Sequence, residues 1–194
     1  MAETPSTMTP LGRIMPVFEL PDASGVLHTS ASLSGERGTL IVFLCNHCPY
    51  VVHVADELGR LGVEYCNRGI GVAGINSNDA SKYAADAPAR MPIFAQTHGI
   101  TFPYLFDETQ STAKSFGASC TPDFFLFDPD GRLVYRGQLD SSRPNNDIPV
   151  TGSHLRLAMD ALIGDDLISE DQAPSLGCNI KWKQYNCCSE SQSS

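Results

Sequence analysis

The pattern of apolar residues along the chain predicts an alternation of buried strands and helices. Residues 39–45 are β-branched and aromatic without polar alternation, which indicates a central strand buried on both faces. Apolar residues then recur at helical spacing over 51–65, until Asn67 and Gly69 end the pattern. Residues 70–76 are again almost entirely apolar, so we expect a second buried strand after the helix.

Weaker signals supply the remaining elements. One hairpin is predicted within residues 15–34, and a second has strands over 124–127 and 133–136 around a turn of Asp, Pro, Asp and Gly. The other predicted elements are a helical stretch to about residue 98, a strand over 102–107, and helices over 109–116 and 153–163. Strands and helices that alternate and end in a hairpin plus a helix imply a mixed sheet with helices on both faces.

The two ends of the chain carry less periodicity than the middle. Residues 1–11 are rich in Thr, Ser and Pro, so we expect a flexible lead there. The domain is expected to span residues 12–164. A tail over 165–194 follows, of which the part up to about residue 183 could pack back on the domain.

Length and charge restrict the possible partners. A chain of 194 residues with 42% hydrophobic side chains can bury one sizeable core. The 13 basic and 22 acidic side chains repel nucleic acid and anionic membrane surfaces, so we expect neither as a partner. Neither an apolar run of about 20 residues nor a basic-then-apolar leader is visible, so we expect a cytoplasmic location.

The cysteines carry the candidate chemistry. Seven is a high count for a chain kept among reduced thiols, and the odd number argues against a fully paired structural framework. Cys48 directly precedes Pro49, a residue favoured at the first helical position, so Cys48 is predicted to cap the helix. Backbone N–H groups and the helix dipole at that end favour a thiolate. His47 could stabilise it further as a cation, or face solvent.

Several features coincide in order along the chain. They are the strand over 40–44, the loop Cys45-Asn46-His47-Cys48, the helix from Pro49, the step Cys120-Thr121-Pro122 and the hairpin turn Asp128-Pro129-Asp130-Gly131. Together they resemble the thioredoxin superfamily, and within it the peroxiredoxin-like redoxin group of alkyl hydroperoxide reductase and thiol-specific antioxidant type. The resemblance implies a thioredoxin-like α/β fold, with a central mixed sheet flanked by helices, an N-terminal hairpin and a C-terminal tail.

The resemblance also implies roles for individual cysteines. Cys48 takes the position of the first, attacking cysteine, whereas the usual second cysteine falls on Val51. Cys45 instead precedes Cys48 by three residues, and it could close a disulfide if the two Cα atoms lie within about 7 Å. The peroxidatic cysteine of peroxiredoxins also falls on Val51, which counts against the usual peroxidase chemistry.

Thr121-Pro122 is similar to the cis-proline step of the superfamily, where the residue before proline offers its backbone to an extended substrate. We therefore expect Thr121 and Pro122 to contact substrate opposite Cys48. Cys120 lies just before this step and is either a site thiol or a packed strand residue. Cys178 lies in the tail and could fold back as a distal resolving thiol or remain an exposed bystander.

The expected topology of the sheet places further residues, distant in sequence, near Cys48. The loop after the second hairpin should return to the edge of the sheet near Cys48, which makes Asp140 and Arg143 candidates. The carboxyl ends of parallel strands share one edge, so Asn76 should lie there as well. We expect His47, Asn76 and Arg143 to be further substrate-binding residues, although each could equally belong to a solvated loop.

Three functions fit these observations. The favoured one is a cytoplasmic thiol-disulfide oxidoreductase in which Cys48 attacks and Cys45, Cys120 or Cys178 resolves, Cys45 first among them. The second is a peroxiredoxin-like thiol peroxidase that passes through a sulfenic acid. The third is a metal-binding or redox-sensing module built from Cys45, Cys48, Cys120 and Cys178. The favoured function needs no cofactor or metal; its partners are a protein or small-molecule disulfide or a peroxide, together with a thiol electron donor.

Overall fold

A computed structural model of the chain describes residues 3–184. Its strands are β1 Glu3–Pro5, β2 Glu19–Pro21, β3 Leu27–Thr29, β4 Gly38–Phe43, β5 Ile70–Asn76, β6 Tyr104–Phe106, β7 Cys120–Thr121, β8 Asp123–Phe127, β9 Leu133–Gly137 and β10 Leu176–Asn179. Its helices are α1 Pro49–Cys66, α2 Met91–Thr97, α3 Ser111–Phe116 and α4 Ser153–Ile163. No helix of this part of the chain combines the length and apolar composition that crossing a bilayer requires.

The centre of the fold is a five-stranded mixed sheet with the order β6-β5-β4-β8-β9. Strand β4 pairs in parallel with β5 and antiparallel with β8, so it lies in the middle, as its apolar sequence predicts. All six residues of β4 are buried. The mixed sheet expected from the order of elements is therefore confirmed.

The two faces of β4 pack against different layers. Leu40 and Val42 belong to a core formed with α1, α2 and α4, whereas Ile41 and Phe43 belong to a second core with α3 and the β2–β3 hairpin. This division follows from the alternation of side chains along a strand. The helices thus cover both faces of the sheet. Helix α1 begins at Pro49, after the short loop that follows the carboxyl end of β4.

Both ends of the described chain join one further sheet, with the order β1-β10-β7. The sequence predicts no element in the first eleven residues, but Glu3–Pro5 form a strand there because their backbone pairs with β10. The segment after residue 164 packs back as far as β10, which lies between β1 and β7. Pairing between distant backbones creates this sheet, and the local sequence pattern gives no sign of it.

The stretch before residue 98 is less helical than its apolar content suggests. Two short 3-10 turns, Ala84–Asp86 and Pro88–Arg90, precede α2. Pro88 and Pro92 each lie at the start of a helical segment, because proline lacks the N–H that a helix interior requires.

The position of α1 depends on a close contact at Gly59. A Cβ built on Gly59 would lie 2.1 Å from the carbonyl oxygen of His98, which is backbone that follows α2. We expect Gly59→Ala to lower the free energy of unfolding by about 1–3 kcal/mol, although alanine favours helix. Val63→Ala, on the exposed side of the same helix, should change it by less than about 0.5 kcal/mol. Urea denaturation measures both, and equal stabilities would contradict the close contact.

Candidate active site

Cys48 lies at the junction between the central sheet and α1. It is the N-cap residue of α1, with extended backbone angles of φ −68° and ψ 123°, and Pro49 starts the helix. Its side chain is fully buried, with 0% exposure. The placement at the helix N-terminus predicted from sequence is therefore confirmed, although the thiol is covered.

Cys48 accepts hydrogen bonds from several directions. Its pKa is lowered to about 5, first by the thiol of Cys45 and then by the thiol of Cys178, and also by the backbone N–H groups of Val51 and Cys178. Burial opposes this shift, but the donors outweigh it. When protonated, the Cys48 thiol can donate to the carbonyl oxygen of Thr121 at 3.2 Å.

The pKa values of the two other thiols in this cluster, Cys45 and Cys178, shift in the opposite direction. The pKa of Cys45 is raised well above its usual value because Cys45 donates to Cys48, because it is buried, and because the carboxylate of Asp86 is near. Burial and the hydrogen bond to Cys48 raise the pKa of Cys178 to about 12. The opposite directions of these shifts favour a single thiolate in the cluster, at Cys48.

The Thr121-Pro122 step faces this cluster. Its peptide bond is cis, as the resemblance predicts. The hydroxyl of Thr121 lies 3.4 Å from the sulfur of Cys45, while the Thr121 carbonyl is directed toward Cys48. The step thus contacts both thiols of the Cys45-x-x-Cys48 loop.

Cys120 is close to the site but directed elsewhere. Its sulfur contacts the carbonyl oxygen of Pro122 at 3.7 Å, and its backbone is opposite Asn179 in the sheet. Burial and the nearby Asp123 raise the pKa of Cys120. Asp123 is itself fully buried, its pKa is raised by burial, and its Oδ1 has no partner among the residues described. Cys120 is therefore a buried thiol, and the thiols that lower the pKa of Cys48 are those of Cys45 and Cys178.

A buried carboxylate fixes the loop between the two cysteines. Asp86 accepts the backbone N–H of Asn46 at 2.8 Å and the side-chain amide of Asn78 at 2.8 Å, and its Oδ2 lies 2.6 Å from Nδ1 of His47. The side chain of Asn76 donates to the Asp86 carbonyl at 2.9 Å. Asn76 thus lies at the expected edge, but it positions Asp86 rather than facing Cys48.

Sequence reasoning missed Asp86 because it lies in a short 3-10 turn without a recognisable motif. No spacing in the sequence connects this turn with the loop from Cys45 to Cys48. Only the folded chain brings the carboxylate to His47, whose side chain keeps 22% exposure. His47 is therefore held by a buried partner and still reaches solvent.

Arg143 lies beside the cis-proline step. Its guanidinium donates to the carbonyl oxygens of Asp140 and Ser142 at 2.7 Å each, and its Nε has no partner among the described residues. With Pro122 it lines a small pocket of about 20 Å³, which has room for about one water molecule. Asp140 accepts backbone N–H groups at the start of α4, so it holds this loop in place.

The four-cysteine metal site considered from the sequence is not assembled among residues 3–184. Among the described residues, the group whose possible metal-ligand atoms all lie within 4.8 Å of one another consists of Cys45, His47 and Asp86. Both oxygens of Asp86 already accept hydrogen bonds from Asn46, His47 or Asn78, so these residues form a complete polar network without an ion. Cys187 and Cys188 lie outside the described residues.

Comparisons with known proteins identify the family of the chain. The model of the AhpC/TSA family matches residues 11–136 of the chain. The thiol-disulfide oxidoreductase ResA of Geobacillus thermodenitrificans is 23% identical over 130 residues, which are 67% of this chain and 70% of that protein.

Solved structures show how far the fold extends. An uncharacterized conserved protein from Geobacillus kaustophilus matches with a TM-score of 0.92 and 49% identity, over 94% of this chain and 97% of that one. Peroxidoxin BcpB from Mycobacterium tuberculosis matches with a TM-score of 0.59 and 19% identity, over 79% of this chain and 96% of that one. The fold is thioredoxin-like, as the sequence predicts.

The pH dependence of alkylation tests the charge on Cys48. Because its pKa is about 5, we expect the rate at which iodoacetamide modifies Cys48 to change little between about pH 6.5 and 8.5, and to fall as the pH is lowered through about 5. Partial desolvation raises the pKa of the exposed Cys66, so its rate should increase throughout that range. Pulse labelling with peptide mass spectrometry measures both thiols together. Parallel profiles would contradict the stabilised thiolate.

Proposed function

Because the chain belongs to the AhpC/TSA family and is an oxidoreductase, we propose that it exchanges thiols and disulfides with Cys48 as the nucleophile and Cys45 as the resolving thiol. The observation that supports this most strongly is that both sulfurs meet Thr121, Cys45 at 3.4 Å from its hydroxyl and Cys48 at 3.2 Å from its carbonyl oxygen, with the pKa of Cys48 lowered and that of Cys45 raised. Cys48 can thus attack as a thiolate, while Cys45 stays protonated beside it.

The first step uses the charge on Cys48. Its thiolate attacks one sulfur of a substrate disulfide, the S–S bond of the substrate breaks, and one substrate thiolate leaves and takes a proton. The Thr121 carbonyl beside Cys48 and the surface at Pro122 and Arg143 are the proposed substrate contacts. Because Cys48 is covered, a segment above it must move before the substrate reaches the sulfur.

The second step requires a proton acceptor for Cys45. Once Cys48 is in the mixed disulfide, it carries no charge and no longer holds the Cys45 proton in a hydrogen bond to a thiolate. The His47–Asp86 pair lies within 4.8 Å of Cys45, and His47 reaches solvent. We assign this pair the role of accepting the proton as Cys45 attacks the Cys48 sulfur and releases the second substrate thiol.

The products define the remaining partners. Cys45 and Cys48 are left as a disulfide, and two electrons have passed to the substrate. A thiol electron donor must then reduce this disulfide to restore the enzyme. A reducing compartment such as the cytoplasm supplies such donors, and it is the location we propose.

A peroxide is the second candidate substrate, since the matching family model is AhpC/TSA. The Cys48 thiolate would break the O–O bond to give a sulfenic acid and an alcohol or water, and Cys45 would then condense with it and release water. The donors around Cys48 stabilise the thiolate for either reaction. We favour the disulfide because the position of the peroxidatic cysteine of peroxiredoxins falls on Val51, which has no thiol.

Disulfide mapping tests the proposal. The reduced protein is treated with one equivalent of bis(2-hydroxyethyl) disulfide or of hydrogen peroxide, quenched with acid and digested without reduction. We expect the Cys45–Cys48 disulfide to accumulate, and to form faster with the disulfide reagent. Cys48→Ser should reduce turnover with a dithiol to the uncatalysed rate, whereas Cys66→Ser, at the exposed end of α1, should retain it. Full turnover by Cys48→Ser would refute the proposal, and faster reaction with peroxide would select the peroxidase.

The proton acceptor is tested separately with His47→Gln. We expect the attack of Cys45 on the mixed disulfide to slow by about 100-fold near neutral pH and to recover as the pH is raised, because hydroxide replaces the lost base. The first step should keep its rate. His98→Gln is the matched control, since it removes a His–Asp pair of 2.7 Å with Asp56 at the surface. Rapid-quench kinetics measure both steps, and an unchanged pH profile would exclude His47.

A further inference from the structure

The C-terminal strand β10 lies across the site. It pairs with β7 in the register Cys178 opposite Thr121, and with β1 in the register Cys178 opposite Glu3. Gly177 fits tightly against the cis-proline step, since a Cβ there would lie 2.0 Å from the Thr121 carbonyl oxygen. The backbone of this strand is thus held in direct contact with the step that faces Cys48.

Cys178 approaches Cys48 in two ways. Its register places it opposite Thr121, whose carbonyl oxygen lies 3.2 Å from the Cys48 sulfur, and its backbone N–H and its thiol both lower the pKa of Cys48. Its side chain is buried, as are those of Cys45 and Cys48. Cys48 therefore has two thiols as neighbours, one from the preceding loop and one from a strand near the opposite end of the chain.

The pairing of β10 also occupies the edge of β7. An extended polypeptide binds by adding to a free strand edge, and one edge pairs with one strand. While β10 is in place, its backbone holds Cys178 against Cys48 in the way that an added strand would present a substrate cysteine. The strand is thus arranged as an internal substrate.

We propose that Cys178 is a second internal disulfide partner of Cys48, so that the oxidised protein exchanges between a Cys48–Cys178 and a Cys45–Cys48 disulfide. The inference rests on the proposed function, which supplies the mixed disulfide at Cys48. It assigns to β10 a role in catalysis in addition to its role in the fold.

The exchange is balanced at each step. Cys178 attacks the Cys48 sulfur of the mixed disulfide, the bond from Cys48 to the substrate breaks, and the leaving substrate thiolate takes the proton of Cys178. Cys45 then attacks the same Cys48 sulfur, the Cys48–Cys178 bond breaks, and the Cys45 proton passes to the sulfur of Cys178. Two electrons go to the substrate disulfide in the first exchange, and none are gained or lost in the second.

The proposal is tested without Cys45. Full-length Cys45→Ser is prepared with Cys187→Ser and Cys188→Ser in all samples, reduced, treated with one equivalent of bis(2-hydroxyethyl) disulfide and quenched with acid at intervals. We expect a transient adduct on Cys48 that converts to the Cys48–Cys178 disulfide in non-reducing peptide maps. Adding Cys178→Ser should make the adduct persist at least about ten times longer, whereas adding Cys66→Ser should not.

The outcomes separate the two proposals. If no adduct forms on Cys48 even without Cys45 and Cys178, the proposed function itself fails. If the adduct forms but persists equally with and without Cys178, only the role of Cys178 is overturned. Cys45→Ala gives the same comparison should the serine variant not fold.

Gly177→Ala adds a test that leaves Cys178 unchanged. In the Cys45→Ser background, the Cβ displaces β10 from Thr121, so conversion of the adduct should slow by about tenfold. Gly164→Ala is the control, because its Cβ would meet a side-chain carboxylate of Asp166 at 3.1 Å and its backbone is not in the left-handed region. Equal conversion in both variants would contradict presentation of Cys178 by the strand.

Discussion

The site depends on a thiolate at Cys48 that the fold shields from water. A thiolate without exposure is costly unless donors replace its solvent, and here the donors come from three separate segments: the loop at Cys45, the first turn of α1 at Val51, and strand β10 at Cys178. The central sheet sets where α1 begins, and the pairing with Thr121 sets where β10 lies. Packing elsewhere in the molecule therefore serves to stabilise the Cys48 thiolate.

The segment around Cys48 was predictable because its signals are local. The apolar run of β4, the proline at the start of α1 and the helical spacing after it all act within a few residues of one another. The cis step at Pro122 was predictable only through the resemblance to a superfamily, since proline alone favours the trans peptide. These features place the nucleophile and the surface opposite it.

The partners of Cys48 were harder to predict because they act over long range. Strands β1 and β10 are short and have no apolar alternation that distinguishes them from loops, and they exist because their backbones pair with each other and with β7. Asp86 likewise acquires its role only when its turn meets the loop at His47. From sequence, Cys178 could be named as a candidate thiol, but its contact with Cys48 depends on these pairings.

The pairing of β10 also bears on the synthesis of the protein. A ribosome releases the chain from its N-terminus, and domains begin to fold as they emerge. Cys48 and the strands that surround it are made early, whereas the N–H and thiol of Cys178 are among the last groups to reach the site. A nascent chain therefore carries Cys48 without its full set of donors, and the thiol acquires its final acidity only after β10 has emerged from the ribosome and paired with β7.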